Sequence, residues 1–160
     1  MFTIEKDWIT LAGLRACCAM VDDSHRCGYV EVPIGHPLHG VGYHDSCPVL
    51  AEAYEKARNG PIGKRSYLTV FFHTPGTPSA DIVFNVHGGL TFSSRDRDSR
   101  YPIPTDGWWF GFDCAHLDDK TKYSPAGEER SMQYVIGECE SLAKQIEDAV
   151  AMHAAQGANR

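Results

Sequence analysis

Eight histidines occur in 160 residues, and four of them sit where a chain passes from regular structure into glycine- and proline-punctuated loops. His36 and His39 lie in GHPLHG, His87 opens HGGLTF at the end of an apolar run, and His116 closes FDCAH with Asp113 three residues before it. Positions of this kind are where rigid elements present reactive groups to a cleft. The chemistry such donors suggest first is metal binding, which needs three or four N, O or S atoms converging on one ion from separate segments. We therefore expect GHPLHG, HGG and DCAH to meet in space, with His36, His39, His87 and His116 as ligands of a divalent ion, zinc or similar. In that arrangement the ion lowers the pKa of a bound water, while Asp113 and His87 act as the catalytic acid–base groups. The Gly88 and Gly89 amides, with Thr91, would hold an anionic substrate, because paired glycines let backbone N–H groups point at an oxyanion. No signature such as HExxH supports this reading. The plainer alternative is that loop histidines bond to backbone carbonyls, Gly88-Gly89 makes a tight turn and Asp113 caps a turn.

Two other chemistries can be weighed on the same residues. A cysteine nucleophile needs a thiol beside a histidine, and Cys114 with His116 is the first candidate. Residues two apart on a strand are roughly 6.5 to 7 Å apart at Cα, too far for an easy thiol–imidazole bond. Cys114 also adjoins bulky apolar residues, where an inert buried thiol is expected. Trp108 and Trp109 could stack on a base, but neighbours on a strand face opposite ways, so at least one belongs to the core.

Composition limits what these groups can serve. With 42% hydrophobic and 22% charged residues the chain falls in the globular range, and its length suits one domain over residues 1–160. Fifteen basic against 21 acidic residues give a formal charge of -6, which disfavours nonspecific nucleic-acid binding. No apolar run approaches the roughly 18 residues of a membrane span. The six cysteines form no CxxC pair, and Glu5, Asp7 and Arg15 do not suit a signal peptide, so a reducing cytoplasm is the expected compartment.

The elements that must position the histidines follow from periodicity. LRACCAMV and CGYVEV, parted by Asp22 to Arg26, read as a hairpin within Leu14 to Val32. A helix through Thr10 to Met20 competes, because Leu11, Leu14, Cys18 and Val21 have helical spacing. A loop carries the next three histidines. A short helix is expected over Cys47 to Asn59, capped by Asp45 or Ser46. Strands are expected at Ser66 to His73, at Asp81 to His87 and briefly at LTFS. The last strand begins at Trp108, with Phe110, Phe112 and Cys114 on one face and Trp109 on the other. Met132, Val135, Cys139, Leu142, Ile146 and Ala149 then make the apolar stripe of a long helix, from about Glu128 to His153, with a frayed tail at 154–160. The fold class expected is α+β, a mainly antiparallel sheet packed against this C-terminal helix.

Three blocks, CGYVEVPIGHPLHG (Cys27 to Gly40), VHGGLTFS (Val86 to Ser93) and WWFGFDCAHLDD (Trp108 to Asp119), resemble those of a family of small proteins encoded by bacteriophages and prophages. The likeness extends to YVxxECxxLAxQI from Tyr134 to Ile146 and omits Pro48 to Ser79 and about the first dozen residues. It brings no activity, fold or cofactor with it, but it implies an accessory phage protein in the infected cell's cytoplasm. Combined with the histidine pattern, it leads us to expect a metal-assisted hydrolase of a phosphate-containing or nucleotide-like substrate. The alternative is a non-catalytic anti-defence protein that sequesters a nucleotide signal or blocks a host defence protein. The partner would accordingly be a small nucleotide-like ligand or a host defence protein.

Overall fold

The computed structural model describes residues 1–58, 78–94 and 101–158. Among these residues five strands, β1 (Phe2–Ile9), β2 (Arg15–Val21), β3 (His25–Val32), β4 (Phe92–Ser93) and β5 (Trp108–Asp113), form one antiparallel sheet in the order β1-β2-β3-β5-β4. Among the described residues, three helices accompany it: α1 (Pro48–Arg58), α2 (Ala80–Val83) and α3 (Met132–Ala158).

The expected hairpin is β2 and β3. Its turn places Asp22 and Asp23 both at φ 51°, and Ser24 N–H closes it on the Val21 carbonyl. Aspartate tolerates that left-handed backbone better than most residues, and two such residues in succession match the twist of the flanking strands. β5 alternates as anticipated. Phe110, Phe112 and Cys114 join the core beneath α3 with Val30, Cys139, Leu142 and Ile146, while Trp109 packs on the opposite face with Cys17, Ala19 and Tyr29. Tyr101 closes over that second face, its hydroxyl 2.5 Å from the Tyr29 hydroxyl.

Two glycines set how closely the layers approach. A methyl on Gly28 of β3 would overlap the Phe112 ring and come within 2.8 Å of Cys139 Sγ on α3. Gly111 of β5 similarly makes room for the Tyr29 ring.

One strand is unexpected, and two expectations about elements change. Strand β1 was not anticipated, because Glu5, Lys6 and Asp7 interrupt the alternation that would reveal it; the register with β2 shifts between Ile4 and Lys6. Asp81 to His87 is not a strand: Ala80–Val83 is a helical turn, and the chain beyond it is tied to α3. There Gln145 accepts from the Asn85 amide at 2.7 Å and donates to the Asn85 carbonyl at 2.9 Å, supplying what a neighbouring strand would have supplied. A short apolar run buried on all sides carries no periodicity that separates helix from strand. Helix α3 begins at Met132 rather than Glu128, where Ser131 Oγ accepts the Tyr134 amide in an N-cap bond. The expected strand at Ser66 to His73 lies outside the described residues. Among those described, no helix is long and apolar enough to cross a membrane.

Candidate functional site

The site forms where the loop leaving β5, the turn leaving α2 and the first turn of α3 come together. In the β5 loop the Asp119 amide donates to the His116 carbonyl, and this turn carries the Asp119 carboxylate inward until the residue is 1% exposed. A carboxylate so buried needs donors on both oxygens. Oδ2 accepts from His87 Nε2 at 2.7 Å and from the His116 amide at 3.0 Å, and Oδ1 accepts from Arg130 Nε at 2.7 Å. Burial pushes the Asp119 pKa up, but the bonds from Arg130, His87 and the His116 backbone outweigh it and hold the group below the usual carboxylate value.

His87 is positioned from three sides. Its amide donates to Glu138 of α3 at 2.7 Å, its Nε2 meets Asp119, and its Nδ1 lies 2.9 Å from the Tyr134 hydroxyl. An ionised Asp119 demands the proton on Nε2, which leaves Nδ1 of the neutral ring to accept from Tyr134. Asp119, His87 and Tyr134 thus stand in line as orienter, base and hydroxyl, the relation found in catalytic triads. Arg130 lies over the Tyr134 ring, 5.1 Å from its centroid. Burial first, and then the nearby Glu138 charge, raise the Tyr134 pKa against the opposing pull of Arg130.

His116 and Asp113 flank this line. The His116 ring is 5.3 Å from that of His87, and its Nε2, 3.9 Å from Asp113 Oδ1, is buried and, among the described residues, without a hydrogen-bond partner. That nitrogen lies against Gly88, whose φ of 67° and lack of a side chain both matter, because a Cβ there would overlap the imidazole. Asp113 accepts from Thr91 Oγ1 at 2.9 Å and from the Ala115 amide at 3.0 Å. Gly89, at φ 91°, donates its amide to the Val86 carbonyl, so the HGG segment makes a tight turn.

Of the anticipated convergence, HGG and DCAH meet and GHPLHG does not. His36 bonds to Glu147 of α3 at 3.1 Å and accepts the Leu38 amide on Nδ1. Glu147 is nine residues beyond Glu138, about 13 Å along the helix axis. His39 bonds to the Asp106 carbonyl at 3.1 Å and packs near Trp108. The metal-assisted reading is overturned on this geometry: among the described residues no group of three or more His, Cys, Asp or Glu side chains could hold a metal ion. The zinc-type ligand set of His36, His39, His87 and His116, the divalent cofactor and the metal-dependent hydrolase go with it. The physical reason is that both ring nitrogens of His87 are engaged inside the protein, and His36 and His39 are spent on Glu147 and a backbone carbonyl. Cys114 is 1% exposed, and burial pushes its thiol up, which disfavours the thiolate that a nucleophile needs.

Asp119, Arg130, Tyr134 and Glu138 were missed by sequence reasoning. One signal was present: Asp119 follows His116 by three residues, as His116 follows Asp113, so a turn could bring both acids to one imidazole. Tyr134 and Glu138, four apart on the flank of the α3 stripe, share a helix face, but nothing local marks His87 as their partner.

No family model matches the chain, and no match to it appears among curated proteins or solved structures. The hydrolase role expected from the histidine pattern is thus withdrawn for want of a metal site among the described residues, and no matching family supports the nucleotide-binding, viral and anti-defence roles.

Proposed function

We propose that the protein performs metal-independent proton transfer on a small polar ligand, with His87 as the base, Asp119 as its positioning residue and the Tyr134 hydroxyl as the atom that meets the ligand. The observation that carries this reading is the line Asp119–His87–Tyr134, joined at 2.7 and 2.9 Å, with Asp119 buried and His87 and Tyr134 half-buried. The Tyr134 oxygen takes a proton from the ligand as it hands its own to His87 Nδ1. The imidazolium so formed lies against an ionised carboxylate held in place by Arg130, which lowers the cost of forming it. The six cysteines are free thiols, which suits a reducing cytoplasm.

Proton abstraction from 5-nitrobenzisoxazole, followed as the coloured phenolate, tests this directly, because that reaction needs a base and nothing else. Turnover is expected to survive EDTA and to fall about 100-fold in His87→Gln, the low end for general-base catalysis. Equal rates in the wild type and His87→Gln would overturn the proposal.

A further inference from the structure

We infer that Tyr134 is a nucleophile as well as a proton carrier, and that its oxygen is a site of covalent modification by activated acyl or sulfonyl electrophiles. The inference rests on the proton-transfer reading and goes beyond it by naming the attacking atom and the class of partner. Four observations converge on that oxygen. It lies 2.9 Å from the one His87 nitrogen not bound to Asp119. The Asp119 carboxylate behind that imidazole is 1% exposed, so the charge that steadies the imidazolium is shielded from water. The Arg130 guanidinium lies over the ring at 5.1 Å, a fixed cation beside developing phenolate charge. Tyr134 stands in the first turn of the 27-residue helix α3, where the helix dipole favours negative charge, while burial and the Glu138 charge keep the free phenol protonated and leave its activation to His87.

A phenol is a weak nucleophile until a base removes its proton as it attacks. Here the Tyr134 oxygen would bond to the carbonyl carbon of an activated ester or thioester while its proton passes to His87 Nδ1. The bond from that carbon to the leaving alkoxide or thiolate then breaks, and His87 returns the proton to the departing group. The product is an acyl-tyrosine, and no external oxidant or cofactor enters the balance. With an arylsulfonyl fluoride the O–S bond forms, the S–F bond breaks, fluoride departs and the proton leaves through His87 to solvent.

Tyr123 supplies an internal control, because it is 89% exposed and lies in the same loop-rich end of the chain. The intact protein is treated with a small arylsulfonyl fluoride, and modification of each tyrosine is followed by peptide mass spectrometry. Tyr134 is expected to react faster than Tyr123 despite its lower exposure, and His87→Gln is expected to slow Tyr134 by about 100-fold while leaving Tyr123 unchanged. Wild-type Tyr134 reacting no faster than Tyr123 overturns the inference, and this comparison needs no variant to fold. If Tyr134 stays unmodified while His87-dependent proton abstraction from 5-nitrobenzisoxazole persists, the nucleophile is refuted and the proton-transfer reading stands. Fast labelling that is indifferent to His87→Gln refutes His87 as the base in both.

Discussion

Burying a carboxylate is unfavourable unless its hydrogen bonds replace those of water, and Asp119 replaces them with an arginine, an imidazole and a backbone amide. Removing it strands donors from three segments at once. Asp119→Ala is therefore expected to destabilise the fold by about 3 kcal/mol in urea titration, the low end for breaking a buried pair, because Arg130 is 16% exposed and can partly rehydrate. A loss under about 1 kcal/mol would mean that the cluster does not hold the loop in place. The histidines show how far residue type alone carries. Their placement marked His87 and His116 as site residues, yet the same pattern marked His36 and His39, which serve Glu147 and a backbone carbonyl.

At the scale of elements, the packing of α3 on the sheet depends on Gly28, where a Cβ would come within 2.8 Å of Cys139 Sγ on the helix. Gly28→Ala keeps an ordinary strand backbone but inserts a methyl between Phe112 and Cys139, and overpacking of this kind costs about 1 to 3 kcal/mol. Thermal denaturation should show the loss, and the double variant Gly28→Ala with Cys139→Ala should recover part of it by removing the sulfur. No recovery would indicate that the clash lies with the Phe112 ring alone. The apolar stripe of α3 and the faces of β5 are plain from periodicity, whereas the hairpin competes in sequence with a helix through Thr10 to Met20. Strand β1 escaped notice because an edge strand bearing Glu5, Lys6 and Asp7 has no alternation to read, although such charges are what an edge strand carries to discourage aggregation. The apolar run after Ala80 reads equally well as a strand or as a buried helical turn; it folds as the turn, closed by the Val83 amide on the Ser79 carbonyl, and Gln145 then holds Asn85.

For the whole molecule, acid is the informative perturbation. The Asp119 pKa is depressed by its partners, and that of Asp7 is depressed by the Arg15 guanidinium. A carboxylate with a folded pKa below its unfolded value of about 3.9 contributes stability that is fully present above that value and is lost as pH falls through the folded pKa. The melting temperature is thus expected to decline as pH drops below about 4, and Asp119→Asn should flatten that decline because its amide cannot titrate. Circular dichroism melts between pH 2 and 7 measure both curves. Parallel curves for the two proteins would show that Asp119 contributes nothing to the acid transition.

What the sequence by itself determined was local: alternation placed Phe110 and Phe112 on one face of β5 and Trp109 on the other, and steps of three and four residues drew the buried stripe of α3. These patterns are readable because a strand repeats every two residues and a helix every 3.6, so a few neighbours suffice to reveal the face that must leave water. The tertiary structure alone decided which polar groups His87 meets, since Asp119 is 32 residues away and Tyr134 is 47. Hydrogen bonds have no sequence period. Their partners depend on which loops the packed apolar faces bring to the same end of the sheet, and that settled on an aspartate–histidine–tyrosine line where residue types alone had suggested a metal.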